Sequence, residues 1–201
     1  MQLEQEWDRA RAWYDRQFAR LDSPDYAQPD DGVVWLGEEL PSGALVAEPA
    51  CGAGRNTIEL ARAGLKVTAF DNSPCAIQRL GEFAARRKCT ANISACQRNL
   101  RDGFPPGPWD AVVISHILQE LTAEEASAML AAAQEHTADG GYHAIAVYLK
   151  EPWREALFEG SFVPLQADEL LRHYGGWNLV RFRERPMDMG LRVYEAILQR
   201  P

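Results

Sequence analysis

The stretch Ala44-Leu-Val-Ala-Glu-Pro-Ala-Cys-Gly-Ala-Gly-Arg-Asn-Thr57 constrains this chain more than any other, because it joins a short apolar run to a helix through a turn of small residues. Ala50, Gly52 and Gly54 alternate in that turn, so the backbone can enter positive φ and a ligand can approach without meeting a β-carbon. The helix expected over Arg55 to Ala63 aims the unpaired N–H groups of its first turn into the same space. A second apolar run, Leu65-Lys-Val-Thr-Ala-Phe70, ends on Asp71, 17 residues after Gly54. An acid at that point is placed to bind the hydroxyls of a nucleoside ribose.

Two ligand classes use such a turn, and the spacing separates them. A dinucleotide site wants G-x-G-x-x-G/A, with a third small residue packing helix on strand beside a pyrophosphate. Here Thr57 occupies that third position, and Glu48 stands at the strand end just before the turn. An acid there repels a pyrophosphate and favours an ammonium or sulfonium charge. A nicotinamide enzyme is therefore the weaker reading. The pattern E-x-A-x-G-x-G resembles motif I of the class I S-adenosylmethionine (SAM) methyltransferases, with Ala50 in place of the usual first glycine. A ligand-free glycine turn is the competing reading of the turn alone, and Glu48 and Asp71 together count against it.

A chain of 201 residues that is 46% hydrophobic and 25% charged can bury a sizeable core, and one domain is expected. Its net charge of −8 argues against a protein that tracks nucleic-acid phosphates. Arg86-Arg87-Lys88 is a local basic cluster, read here as cations favoured at a helix C-terminus. The acidic N-terminus lacks the apolar core of a signal peptide, and no apolar run approaches the ~20 residues of a membrane span, so a cytoplasmic protein is expected. Cys51, Cys75, Cys89 and Cys96 form no C-x-x-C pair and lie near no His at zinc spacing, so neither a metal site nor a disulfide framework is indicated. Cys51 lies inside the turn and reads as a small buried filler, although a helix N-terminus can lower a thiol pKa.

Taken in order, residues 4 to 21 read as a helix with Trp7, Arg11, Tyr14, Phe18 and Leu21 on one stripe. That stripe either packs on the core or forms a lid over the site. A loop to Gly32 and a helix from Val33 to Leu40 follow. From Ala44 strands and helices alternate, the mark of an α/β domain with a parallel sheet. The strands expected are Ala44–Glu48, Lys66–Phe70, Ala91–Gln97, Trp109–Ile114 and Tyr142–Tyr148. Ser73 is an N-cap with Pro74 behind it, opening a helix to about Arg87. Thr122-Ala-Glu-Glu125 is a capping box for a helix to about His136, which Asp139-Gly-Gly141 should end. His116 follows the fourth strand at the carboxyl edge of the sheet, where open α/β folds bind ligands. His143, inside the fifth strand, reads as structural. Leu149 to Pro164 is expected to be a loop-rich insertion. A helix from Gln166 to Tyr174, closed by Gly175-Gly176, and a hairpin of Trp177–Glu184 with Leu191–Gln199 complete the chain.

Beyond the superfamily, the combination of Cys51-Gly-Ala-Gly-Arg-Asn-Thr57, Gly64-Leu-Lys-Val-Thr-Ala-Phe-Asp71 with Ser73-Pro-x-x-Ile77, and Gly140-Gly-Tyr142 resembles the tellurite-resistance methyltransferase family (TehB). Phe162, Glu169-Leu170, Arg172, Tyr174, Gly176-Trp177 and Leu191-Arg192 are similar to that family's C-terminal pattern. The likeness spans about residues 7 to 200. It implies a Rossmann-like class I methyltransferase fold: a seven-stranded mixed sheet in order 3-2-1-4-5-7-6 flanked by helices. It implies a single domain over 1-201, made of an N-terminal helical lid (1-43), a SAM-binding core (44-149) and an insertion, helix and closing hairpin (150-201).

The resemblance also implies the cofactor contacts. Glu48, Ala50, Cys51, Gly52 and Gly54 line the methionine side, Asp71 with Asn72 holds the ribose, Asn99 and Leu100 meet the adenine, and Ser115 approaches the methionine amine through its backbone. Arg55 and Asn56 match the family's Arg-Asn pair, which local capping explains equally well. His116 is the candidate base, with Tyr148 and Arg192 on the substrate side. The departure is in the last hairpin, where tellurite-active relatives carry a His-Arg pair and a further Arg in a longer loop; here the segment is Arg185-Pro-Met-Asp-Met-Gly190. SAM-dependent transfer of a methyl group to a small molecule, yielding S-adenosylhomocysteine (SAH), is the function expected. A tellurite or selenite oxyanion, or an organic O-, N- or S-acceptor, is the substrate class. No nucleic acid, membrane or metal is implied, and the protein is expected as a monomer or homodimer. A SAM-binding sensor without catalysis is the reading from outside the enzyme class.

Overall fold

The computed structural model describes residues 2–148, 167–186 and 192–201, with the backbone alone for 2–7 and 167. The expected insertion at 149–164, Phe162, the hairpin loop at 187–190, Leu191 and the side chain of Trp7 lie outside the described residues. Two compact units gather the chain, Met1–Asp102 and Gly103–Pro201. Among the described residues, seven strands form one sheet in the order β3-β2-β1-β4-β5-β7-β6 anticipated from the family likeness.

In the first unit, α1 (Gln2–Ala19) and α2 (Asp31–Glu39) precede β1 (Leu45–Pro49), α3 (Arg55–Arg62), β2 (Lys66–Asp71), α4 (Pro74–Arg87) and β3 (Ile93–Gln97). β1, β2 and β3 are parallel, with Glu48 beside Ala69 and Ala69 beside Ala95. Parallel pairing brings the carboxyl ends of all three to one edge. Val46, Ala47, Leu60, Leu65, Leu80 and Phe83 are buried there, the core against which α3 and α4 pack. α4 begins where its cap dictates: Ser73 Oγ accepts from Ala76 N–H at 3.0 Å, and Pro74, which has no N–H to lose, takes the first turn. It ends at Lys88 in the left-handed region, with Arg86 and Arg87 in the last turn, where the helix dipole favours cations. Arg86 donates to the Asp22 carbonyl and Arg87 pairs with Asp25, so two members of the basic cluster fasten the chain beyond α1.

In the second unit, β4 (Trp109–Ser115) and α5 (Ala123–Glu135) are followed by β5 (Thr137–Tyr148), α6 (Ala167–Arg172), β6 (Asn178–Pro186) and β7 (Arg192–Gln199). The capping box is present in full: Thr122 Oγ1 accepts from Glu125 N–H, and Glu125 accepts from Thr122 N–H. β4 and β5 are parallel, whereas β7 runs antiparallel to both β5 and β6.

Most boundaries shift by one or two residues from the sequence reading, and the start of β5 shifts by five. Asp139-Gly-Gly141 does not end a helix; α5 has already stopped at Glu135, and β5 runs through both glycines from Thr137. Trp109 pairs Thr137 but Ala111 pairs Tyr142, so β5 carries extra residues and bulges. A β-carbon on Gly141 would lie 2.8 Å from Thr137 Cγ2 and 2.9 Å from the Ala138 carbonyl, which is why a glycine belongs in the bulge.

Candidate cofactor site

The turn between β1 and α3 is assembled by hydrogen bonds that run between strand ends. Cys51 N–H donates to the Phe70 carbonyl at 3.2 Å, and Arg98 N–H to the Asp71 carbonyl at 2.9 Å. Asp71, at the end of β2, accepts from Gly52 N–H at 2.9 Å and from Ser73 N–H at 2.8 Å. Its carboxylate is thereby fixed against the glycine turn. Burial pushes the Asp71 pKa up, and these two N–H donors oppose the rise.

Glu48 is 2% exposed near the end of β1 and accepts from the Thr57 hydroxyl of α3. Burial pushes its carboxyl up to about 7, against the pull of Thr57 and Arg55. The two acids singled out by spacing therefore meet the same turn, Asp71 through Gly52 and Glu48 through Thr57. Ala50 takes φ 52°, a left-handed conformation that costs an alanine about 1 kcal/mol and a glycine far less. Burial, then the charges of Asp71 and Glu48, push the Cys51 thiol well up, so it stays a protonated filler.

The glycines have neighbours within the protein. A β-carbon on Gly54 would lie 2.2 Å from Leu80 Cδ1 of α4, and one on Gly52 would lie 3.2 Å from the Phe18 ring of α1. Gly54 thus permits α4 to pack on the turn, and Gly52 admits α1. Tyr14 stacks on Phe18 at 6.0 Å, and Asp15 accepts from the Ser73 hydroxyl. Phe18 of the aromatic stripe covers the turn directly.

Arg55 and Asn56 are engaged with Asp30: Arg55 pairs with it at 2.8 Å, and Asn56 bonds to its backbone and its carboxylate. Asn72 offers its carbonyl to Gln97 at 3.2 Å. Asn99 and Leu100 lie beyond β3, where Asn99 Oδ1 accepts from Arg101 N–H at 3.0 Å and Leu100 opens a short 3-10 turn. Sequence reasoning missed Tyr26, Asp15 and Asp30. A Pro-Asp-Asp run before an apolar helix was the signal available for Asp30 alone.

In the second unit, Ser115 closes β4 beside Ala146 of β5. His116 follows with φ 52°, its N–H donating to the Ala146 carbonyl at 2.7 Å. A histidine tolerates that conformation better than most residues, and strain of this kind gathers where side chains are aimed for function. Its ring lies 4.6 Å from that of Tyr148, at the end of β5. Arg192 opens β7, next to the end of β5, and pairs with Glu184 of β6. Among the described residues, no cluster of three His, Cys, Asp or Glu side chains could hold a metal ion, and no helix is long and apolar enough to cross a membrane.

Residues 46–141 match the family model described as a methyltransferase domain. Over 137 residues the chain is 28% identical to Hemagglutinin 1 of Eikenella corrodens, covering 67% of this chain and 44% of that protein. Over 153 residues it is 27% identical to the probable S-adenosyl-L-methionine-dependent methyltransferase TehB of Haemophilus influenzae (strain 10810), covering 76% of this chain and 52% of that one. The chain thus spans about half the length of the curated relatives it matches. The crystal structure of TehB from Haemophilus influenzae superposes with a TM-score of 0.71 at 20% identity, covering 86% of this chain and 63% of that chain. Fold and turn together define a class I methyltransferase domain. Within that class, the chain is similar in sequence to the probable SAM-dependent methyltransferase TehB and shares the fold of its crystal structure.

Proposed function

We propose that this protein transfers a methyl group from SAM to a small-molecule acceptor. The observation that carries the reading is the paired acid arrangement: a deeply buried Glu48 beside a glycine turn whose Gly52 N–H pins Asp71. A buried carboxylate suits a cationic ligand, and a fixed second carboxylate suits a ribose diol. Glu48, Ala50, Cys51, Gly52 and Gly54 face the methionine part, Asp71 and Asn72 the ribose, and Asn99 with Leu100 the adenine; Ser115 offers its backbone to the methionine amine.

Transfer is an in-line displacement. The acceptor's electron pair forms the new bond to the methyl carbon, the carbon–sulfur bond breaks, and its electron pair neutralises the sulfonium to give SAH. The enzyme's contribution is to align the acceptor and exclude water. A selenite or tellurite oxyanion, or a thiolate, needs no base, whereas a protonated oxygen or nitrogen acceptor does. His116, its ring tilted against that of Tyr148 at the carboxyl ends of β4 and β5, is the base for that second class. The short hairpin segment, without the His-Arg pair of tellurite-active relatives, favours the organic acceptor. We place the protein in the cytoplasm, acting without nucleic acid.

Calorimetry with SAM and SAH, followed by an acceptor panel read as SAH formed, tests the reading. Uptake of both compounds and turnover of at least one acceptor are expected. His116→Ala should keep SAM affinity and lose at least 10²-fold in kcat with an O–H or N–H acceptor. Full activity of that variant removes the base, binding without turnover favours a sensor, and no uptake by folded protein ends the proposal.

A further inference from the structure

The Arg55-Asn56 pair grips a different part of the chain. Asn56 is 1% exposed and binds Asp30 twice: its Oδ1 accepts from Asp30 N–H at 3.0 Å, and its Nδ2 donates to Asp30 Oδ2 at 3.0 Å. Arg55 Nη1 lies 2.8 Å from Asp30 Oδ1 and also donates to the Gln28 carbonyl at 2.7 Å. Asp30 itself is 4% exposed, and a buried carboxylate held by a hydrogen bond from Asn56 and an ion pair with Arg55 is fixed in position as well as in charge. Its carbonyl accepts from Val33 and Val34 N–H, so gripping Asp30 also sets the start of α2.

What this grip delivers is a wall. Tyr26 tilts its ring against Phe83 of α4 at 6.3 Å, and its half-buried phenol lies within electrostatic reach of Arg55 and Glu48 beside the β1–α3 turn. Upstream, Arg79 donates to the Phe18 and Ala19 carbonyls at 3.3 and 2.8 Å, holding the end of α1 where the Phe18 ring covers Gly52. Around Tyr26, the chain between α1 and α2 is tied on one side by Arg86 at the Asp22 carbonyl and Arg87 at Asp25, and on the other by Arg55 at the Gln28 carbonyl and by the grip on Asp30.

We propose that Asp30, held by Arg55 and Asn56, is a positioning residue that seats the Tyr26–Asp30 segment as a wall of the cofactor site, and that the Arg-Asn pair acts through this segment. The inference rests on the SAM reading above and names how residues outside the glycine turn serve it.

A swap separates this role from direct contact with the cofactor. Asp30→Asn and Asn56→Asp each break the complementary set, the first by removing a charge from Arg55 and the second by setting two acids face to face. The double variant carries one acid and one amide again: the oxygen at position 56 still accepts from the backbone N–H of position 30, and the side-chain hydrogen bond is available in reversed polarity. Titration with SAH by calorimetry should show at least a tenfold loss of affinity in each single variant and recovery to within about threefold in the double. Under turnover, the single variants should raise KM for SAM with kcat changed less than threefold. If the double variant is as weak as the sum of the singles, Asn56 meets the cofactor itself and the proposal falls. Should Asn56→Asp fail to fold, Asp30→Asn and Tyr26→Phe carry the test: a loss of at least fivefold in both supports it, and wild-type affinity in either overturns it. If the unaltered protein takes up no SAH, the SAM reading has failed; if it binds and the single variants match it, only this inference has.

Discussion

Glu48 holds a conflict that decides how the cofactor turn treats charge. Burial raises its pKa to about 7, so near neutral pH the carboxyl is poised between two states and a nearby cation draws it into the charged one. At an effective dielectric near 20, a sulfonium about 5 Å away gains roughly 3 kcal/mol from that charge, a gain unavailable to SAH. Glu48→Gln keeps the shape and an acceptor for the Thr57 hydroxyl but removes the charge. Its affinity for SAM at pH 8 should fall at least tenfold relative to its affinity for SAH, read by calorimetry with both ligands. An unchanged ratio would mean that the acid does not sense the sulfonium. Glu48 and Asp71 were legible in the sequence because strand ends and turn spacing place them locally. Tyr26 and Asp30 were not, since Asp30 meets Asn56 across 26 residues and only the packed chain brings them together. Gly54 was legible as a glycine for the wrong neighbour: the side chain it makes room for is Leu80, from the following helix.

At the level of elements, caps were the most readable signals because they are local. Ser73-Pro74 and the Thr122–Glu125 box open α4 and α5 as the sequence indicates. The start of β5 was not readable, since a Gly-Gly pair that usually stops a helix here relieves a bulge. His143, within β5, shows how tertiary contacts then fix the strand. Thr137 Oγ1 donates its one hydrogen to the Ala133 carbonyl at 2.7 Å, so toward His143 Nε2, at 2.8 Å, it can only accept. His143 therefore carries its proton on Nε2, and Nδ1 accepts from the Tyr174 hydroxyl at 2.7 Å. Gln134 of α5 donates to the neighbouring His173 carbonyl at 2.9 Å. The run ties α5, β5 and the turn after α6 by hydrogen bonds that all point one way. Tyr174→Phe leaves Nδ1 buried without its donor and should cost about 1–3 kcal/mol in urea unfolding. A loss below 0.5 kcal/mol would show that the run is incidental to stability.

For the molecule as a whole, two buried groups impose opposite pH dependences. Glu48 has a folded pKa near 7 against an ordinary 4.5, so between those values the folded state binds more protons than the unfolded one. Its contribution therefore weakens stability as pH rises through that window, by up to about 1.4 kcal/mol per unit and about 3 kcal/mol in all. His143 is fully buried, which pushes its pKa down to about 3 from an ordinary 6.5. Between those values the unfolded state binds more protons, so stability is lost as pH falls, again by up to about 1.4 kcal/mol per unit. From pH 4.5 to 6.5 the two slopes cancel if the chain unfolds in one step. Other titrating groups act alike in each protein, so differences between variants isolate the pair. Relative to the unaltered chain, Glu48→Gln should lose stability more steeply on acidification across that window, and His143→Gln less steeply. Glu48 belongs to the first compact unit and His143 to the second. Should the units unfold separately, the unaltered protein will show two transitions that diverge with pH, the first unit gaining stability at pH 5 and the second losing it. Denaturant melts at pH 5, 6 and 7 distinguish these outcomes, and changes of the same sign in both variants would refute the assignment of the two buried groups.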